Sequence, residues 1–297
     1  MLREARRAEF RDRKTGALNL QNCLAAGVGK RLCGRRLRSL FLMAMLACAW
    51  RPSAQADLTP VRHLEGTIHG FLEMRSEDGR VVASGDSIQV AHGERVTTET
   101  IFHFNDGSID DEITVFSQRR NFQLITYHRN QKGAYFPHPM DLLIDFRSGQ
   151  VTVRSTEKDG KEKVETDHLH LPPDLANGMV PLVVANMPSG AQQTTVSMLV
   201  ATPKPRVVKL DISNVGEETF SVAGSPRKAI HDEIKIELGG LAGVVAPMIG
   251  KQPPNIEIWI VGGQAPTFLK ERGPIYPEGP MMTIQLVSPD WPNSPKP

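Results

Sequence analysis

The sequence predicts a mainly β protein: one long, curved antiparallel meander sheet, a half-barrel or wrapped sheet, with one or two short helices packed on it. Three observations predict this. Apolar and polar residues alternate with period two through residues 63–290, the pattern of strands with one wet face. Turn-forming residues separate these runs at spacings too short for parallel crossovers, which need about a dozen linking residues. Two apolar segments lack the alternation and have the length of short helices.

In chain order, Asp78-Gly79 sits between the runs Leu64–Arg75 and Arg80–Val90. His92-Gly93 leads into Arg95–Phe104, and Asn105-Asp106-Gly107-Ser108 joins that run to Ile109–Ser117. Asp159-Gly160 joins Val151–Glu157 to Lys161–Asp167. Glycine supplies the positive φ that tight hairpin turns need, and Asp or Asn tolerates it. Val208, Leu210 and Ile212 form an apolar stripe opposite Lys209 and Asp211. Ile230, Ile234, Ile236 and Leu238 form another, opposite His231, Glu233, Lys235 and Glu237. Phe122-Gln123-Leu124-Ile125-Thr126-Tyr127-His128 differs, because both faces carry large apolar groups. It is expected to be covered on both sides, so something must pack on the inner face of the sheet.

Two segments are suited to that. Residues 172–186 read as a short helix pair or an interrupted helix, with Pro172 and Pro173 at the start and Gly178 as the break. Residues 239–250 are apolar all round, as a core helix is. Each follows a run of strands, so the single domain expected over 57–297 divides into two analogous halves, 57–190 and 191–297. The tail Pro289–Pro297 is proline-rich and is expected to be loose.

The chain of 297 residues carries 35 basic and 33 acidic side chains, a net of +2 that describes neither of its parts. Residues 1–56 hold 12 Lys and Arg against 3 Asp and Glu, and all three cysteines. Residues 57–297 are net −7 and hold all nine histidines. The cause lies at 30–56. Lys30, Arg31, Arg35, Arg36 and Arg38 precede an apolar run from Leu40 to Trp50, then Pro52 and Ala54-Gln55-Ala56. A positive end, a short apolar core and an A-x-A site make a secretory signal peptide, with cleavage after Ala56 and the small residues Ala54 and Ala56 in the peptidase pocket. The apolar run is shorter than the ~20 residues of a membrane span, so no stable span is expected after cleavage. The competing route, lipidation at Cys48, has Leu46 where a small residue is usual. Arg35-Arg36 lacks the residues of a twin-arginine signal after it. The length of the leader motivates a translation start at Val28, which sequencing the unprocessed precursor would test. The expected location is therefore exported, periplasmic or secreted. The cysteine-free remainder has no thiol nucleophile and no thiolate metal site. Its net negative charge argues against a nucleic-acid partner, which needs a basic face.

Chemistry-bearing motifs are sparse. His168 and His170, in Asp167-His168-Leu169-His170, share one face of a strand about 6–7 Å apart, a spacing that suits two imidazoles on one metal ion. A third ligand, His128 or His138, must come from elsewhere, and the plainer reading is two polar residues on a solvated face. Asp106, Asp110, Asp111 and Glu112 cluster at a hairpin without the spacing of a calcium loop, and read as a solvated turn. Asp141 and Asp145 share a strand face, with nothing to bring them together. Ser225-Pro226-Arg227-Lys228 matches S-x-x-K, but between strand patterns rather than at a helix start. Neither G-x-S-x-G nor a P-loop is present, and no cofactor is expected. Apolar binding is the remaining chemistry. A curved sheet with a glycine-rich apolar segment against it encloses a cavity, for which Phe122, Leu124, Tyr127, Leu241, Val244 and Met248 are the candidate lining.

Phe104–Gln118, Leu171–Pro181 and Gly250-Lys251-Gln252-Pro253-Pro254 resemble recurring segments of uncharacterised exported bacterial proteins. The resemblance covers most of 60–290 and implies export, without implying an activity. Three functions fit the residues. The first is an exported, non-catalytic protein that binds a lipid or another apolar or amphiphilic ligand in the cell envelope. The second is an envelope scaffold that works through its surface. The third is a metal-assisted hydrolase using His168 and His170.

Overall fold

The computed structural model describes residues 58–156, 161–188, 190–201, 204–222, 224–238 and 252–287. These residues belong to one compact unit, Gln55–Pro297. Residues 1–57 and 239–251 lie outside the described residues, and with them the leader, Cys48, the processing residues Ala54 and Ala56, and the candidate lining residues Leu241, Val244 and Met248.

The predicted meander is present as one 14-stranded antiparallel sheet. Its first eight strands are β1 (Ile68–Ser76), β2 (Val81–His92), β3 (Arg95–Phe104), β4 (Ile109–Gln118), β5 (Phe122–Lys132), β6 (Met140–Asp145), β7 (Gln150–Thr156) and β8 (Glu162–His168). A short helix, α1 (Val180–Ala185), follows. The last six strands are β9 (Gln193–Val200), β10 (Arg206–Val222), β11 (Ser225–Glu237), β12 (Ile256–Val261), β13 (Thr267–Pro274) and β14 (Met281–Val287). Each strand pairs with its neighbour in sequence except β8 and β9, which do not pair, and β1 pairs in addition with β14, for example Leu72 with Leu286 and Met74 with Ile284. The first and last strands thus meet in the middle of the sheet, and its edges are β8 and β9, from the middle of the chain. The two sequence halves are two arms of one sheet rather than separate bodies.

Register sets which side chains face inward. Thr98, Thr114, Tyr127, Ile144 and Val151 lie in one row across β3 to β7. Thr100, Glu112, Arg129, Leu142 and Val153 form the next row, and Phe102, Asp110, Gln131 and Met140 begin a third. The strand Phe122–His128 is not covered on both faces, contrary to the sequence reading. Ile125 is an extra residue in β5, since Phe116 pairs with Leu124 while Val115 pairs with Thr126. This β-bulge shifts the phase of the alternation, so that Phe122, Leu124 and Tyr127 all point inward.

The link between β8 and β9 fills the concavity, as the sequence predicts for residues 172–186. Leu171, Leu175, Ala176, Met179, Val183 and Val184 join Phe116, Leu124, Ile144, Ile212 and Ile258 in the larger of two apolar cores. The smaller core holds Leu72, Met74, Phe102, Phe104, Phe136 and Met282. Three buried polar side chains staple the link in place. Asp174 accepts from Ser197 Oγ at 2.9 Å and from Lys209 Nζ at 3.0 Å. The Asn177 amide pairs with both main-chain groups of Leu199, as a neighbouring strand would. Asn186 caps α1 by donating to Leu182 O, and its Oδ1 accepts from the main-chain N–H groups of Arg62 and His63. Leaving any of these groups buried without its partner costs about 1–3 kcal/mol, so the polar residues fix one placement for an otherwise apolar link.

Gly178 lets the link approach the sheet. Its φ is +67°, and a Cβ there would overlap Thr114 Oγ1 and lie 3.1 Å from the Tyr127 ring. Gly178→Ala is expected to cost about 2–4 kcal/mol, by adding overpacking to an unfavourable left-handed backbone. A thermal unfolding midpoint equal to that of the wild type would show that the link does not press on β4 and β5.

Candidate functional site

Two polar features lie on the inner face of the sheet. The first is an ionic network that the sequence reading misplaced. Asp110 is 4% exposed, and its carboxylate receives Arg129 Nε at 3.0 Å and Nη2 at 2.7 Å. Gln131 Nε2 donates to the same carboxylate at 3.0 Å, and both Arg129 and Gln131 also donate to Ile275 O beyond β13. Tyr127 Oη donates to Glu112 Oε2 at 2.7 Å. Opposing strands of the curved sheet therefore meet through these groups. Asp110 and Glu112 are not part of a solvated turn. Within that cluster Asp106 is exposed and caps the Ser108 N–H at 2.9 Å, whereas β4 parity turns residues 110 and 112 inward.

The electrostatics follow from enclosure. Burial opposes the charge on Arg129, and the Asp110 carboxylate overrides that effect, raising its pKa well above the ordinary range. Burial pushes Glu112 up against the lowering influence of Arg129 and Tyr127. Tyr127 is pushed well up by burial and by Glu112. Glu271, inward on β13, has its carboxyl raised to about 7, by burial first and then by Glu112. The interior thus holds three carboxyl groups beside one guanidinium, and near neutral pH one of them, Glu271, is only partly ionised.

The second feature is a cleft of about 290 Å³. The end of α1 and the turn after it form one wall through Val184, Ala185, Met187 and Pro188. Ile230, Asp232 and Ile260 on β11 and β12, with Asn214 on β10, form another. The register supplies these groups: Ile230 opposes Ile260, and Asn214 opposes Asp232. Asp232 is 2% exposed, and burial raises its carboxyl above the usual range. The signal for it was in the sequence. Period two places residue 232 within the stripe Ile230, Ile234 and Ile236, and an Asp in an apolar stripe is a buried polar group that needs a reason. Opposite that stripe, His231 is not wet. It stacks on Trp259 with centroids 4.3 Å apart and has 18% side-chain exposure, between Glu218 and Glu257.

Of the described candidates named from sequence, none is among the residues lining this cleft. Phe122 and Leu124 are closed core positions at 3% and 1% exposure, packed with the link rather than lining open space. Tyr127 is buried at the junction of that core with the ionic network. His168 is the exposed last residue of β8, and His170 lies beyond the strand and is also exposed. Among the described residues no group of three or more His, Cys, Asp or Glu side chains is placed to hold a metal ion. Asp141 and Asp145 face outward, the first towards His128 at 3.2 Å and the second capping the Ser148 N–H. The S-x-x-K residues begin β11, where Lys228 pairs with Glu217.

The fold and its sites define an antiparallel β protein whose sheet is filled by its own central link. Among solved structures it is similar to a beta-barrel-like protein of domain of unknown function DUF1849 from Brucella abortus, with a TM-score of 0.42 and 12% identity over 76% of this chain and 97% of that one. It is also similar to the hypothetical lipoprotein YmcC from Escherichia coli K12, with a TM-score of 0.30 and 9% identity over 84% and 95% of the two chains. No family model and no curated protein matches the sequence. Among the described residues no helix is long and apolar enough to cross a membrane.

Proposed function

We propose that the protein is a non-catalytic binding protein of the bacterial cell envelope, which holds an apolar or amphiphilic ligand inside its curved sheet. The observation that carries this reading is the cleft between α1 and strands β10 to β12. Its walls are apolar at Val184, Ala185, Met187, Ile230 and Ile260, and polar at Asn214 and Asp232. Such a mixture fits a molecule with one apolar and one polar end. The volume lies at the low end of the ~300–1,000 Å³ typical of small-molecule sites, so the cleft suits a head group or a short chain rather than a whole lipid. The signal-peptide pattern of residues 30–56 supports export, and with it a ligand from the envelope.

Native mass spectrometry of protein purified from an envelope fraction tests this. The expected result is a bound small amphiphile that is released on unfolding. Protein that is free of ligand, and that binds none when offered short-chain amphiphiles, would favour the scaffold reading instead.

A further inference from the structure

The charge around the cleft narrows the ligand, on the footing of the binding role proposed above. Its ionisable lining consists of Asp232, Glu217 and His63, with no lysine or arginine among the described lining residues. Glu217 already has a cation, since Lys228 Nζ lies 2.7 Å from its Oε2. Asp232 has none. Its Oδ1 accepts from Asn214 Nδ2 at 3.3 Å, a long bond, and its Oδ2 has no hydrogen-bond partner among the described residues. Asp232 is 2% exposed as a residue, yet its Oδ2 is not among the fully buried atoms without a partner, so it opens on the cleft, where a ligand donor can take the place of solvent. Hydrogen bonds between charged partners are roughly twice as strong as neutral ones. An anionic head group would meet Asp232 with no lysine or arginine in the described lining to receive it.

We infer that the cleft binds a cationic head group, an amine or small alkylammonium, seated on the free oxygen of Asp232 with its apolar part against Val184, Ile230 and Ile260. The neighbouring groups leave that position to the ligand. Asn214 holds the other oxygen, Ile258 is the register partner of Asp232 on β12, and His231 turns to the outer face.

Calorimetric titration of the folded protein with octylamine, octanol and octanoate, matched in chain length, tests this at neutral pH. Octylamine is expected to bind at least about tenfold tighter than octanol, with octanoate weakest. Asp232→Asn keeps the shape and the contact with Asn214. It is expected to abolish the preference for octylamine over octanol. Octanoate binding as tightly as octylamine, or an amine preference that survives in D232N, would overturn the cationic assignment and leave the binding role standing. Failure of all three probes to bind would overturn both. If D232N does not fold, the ranking on the wild-type protein decides alone.

Discussion

Arg129→Met is expected to destabilise the protein by about 3–5 kcal/mol, the cost of removing one partner of a buried charge pair. For a unit of this size that is a fall in Tm on the order of 10 °C. The reason is geometric. Asp110 has a side-chain exposure of 5% and receives both the Nε and Nη2 of Arg129. Without the guanidinium, Asp110 keeps only Gln131, and Glu112 loses the positive charge that lowers its pKa. The hydrogen bond of Arg129 to Ile275 O is lost as well, leaving only that of Gln131. The double variant Arg129→Met with Asp110→Leu is expected to recover much of the loss, because it removes the stranded charge. Thermal unfolding of the two variants checks this. A single variant as stable as the wild type would mean that the pair is solvated and does not join β4 and β5 to the segment after β13.

Glu271→Gln is expected to stabilise the protein above neutral pH by up to about 3 kcal/mol and to leave it unchanged near pH 4. The sign follows from the raised carboxyl. In the folded protein the group titrates at about 7 instead of 4.5. Between these values the folded state keeps a proton that the unfolded state releases, so stability falls as pH rises through this window and levels off above it. At about 1.4 kcal/mol per unit, the wild type loses roughly 3 kcal/mol that the neutral amide does not lose. Urea unfolding of both proteins at pH 5 and pH 8 isolates the effect, because the other titrating groups cancel in the difference. A variant less stable than the wild type at pH 8 would contradict the enclosed placement of Glu271.

Much of the fold was legible in the sequence. Period two in Ile230–Leu238 and Val208–Ile212, and turns such as Asn105-Asp106-Gly107-Ser108, specify strands and their antiparallel order. The apolar link with its prolines and Gly178 specified what fills the concavity. The pairing of β1 with β14 was not legible, since no local pattern records which strands meet when the ends of a sheet return to each other. The bulge at Ile125 was misread because an inserted residue imitates a strand that is apolar on both faces. The site was less legible than the fold. Asp110 and Glu112 sit next to a turn, and composition alone assigns them to solvent. Only register with Arg129 and Gln131 turns them inward. Asp232 was within reach of the periodicity, but its free oxygen depends on where Asn214 falls in the facing strand.

The binding claim is tested most directly by methyl NMR of the folded protein titrated with a short-chain amphiphile such as octylamine. The expected result is saturable shifts at Val184, Ile230 and Ile260, with little change at the core methyls of Val96 and Ile144. No saturable shift, or shifts confined to exposed outer methyls such as Leu143 and Val164, would contradict it.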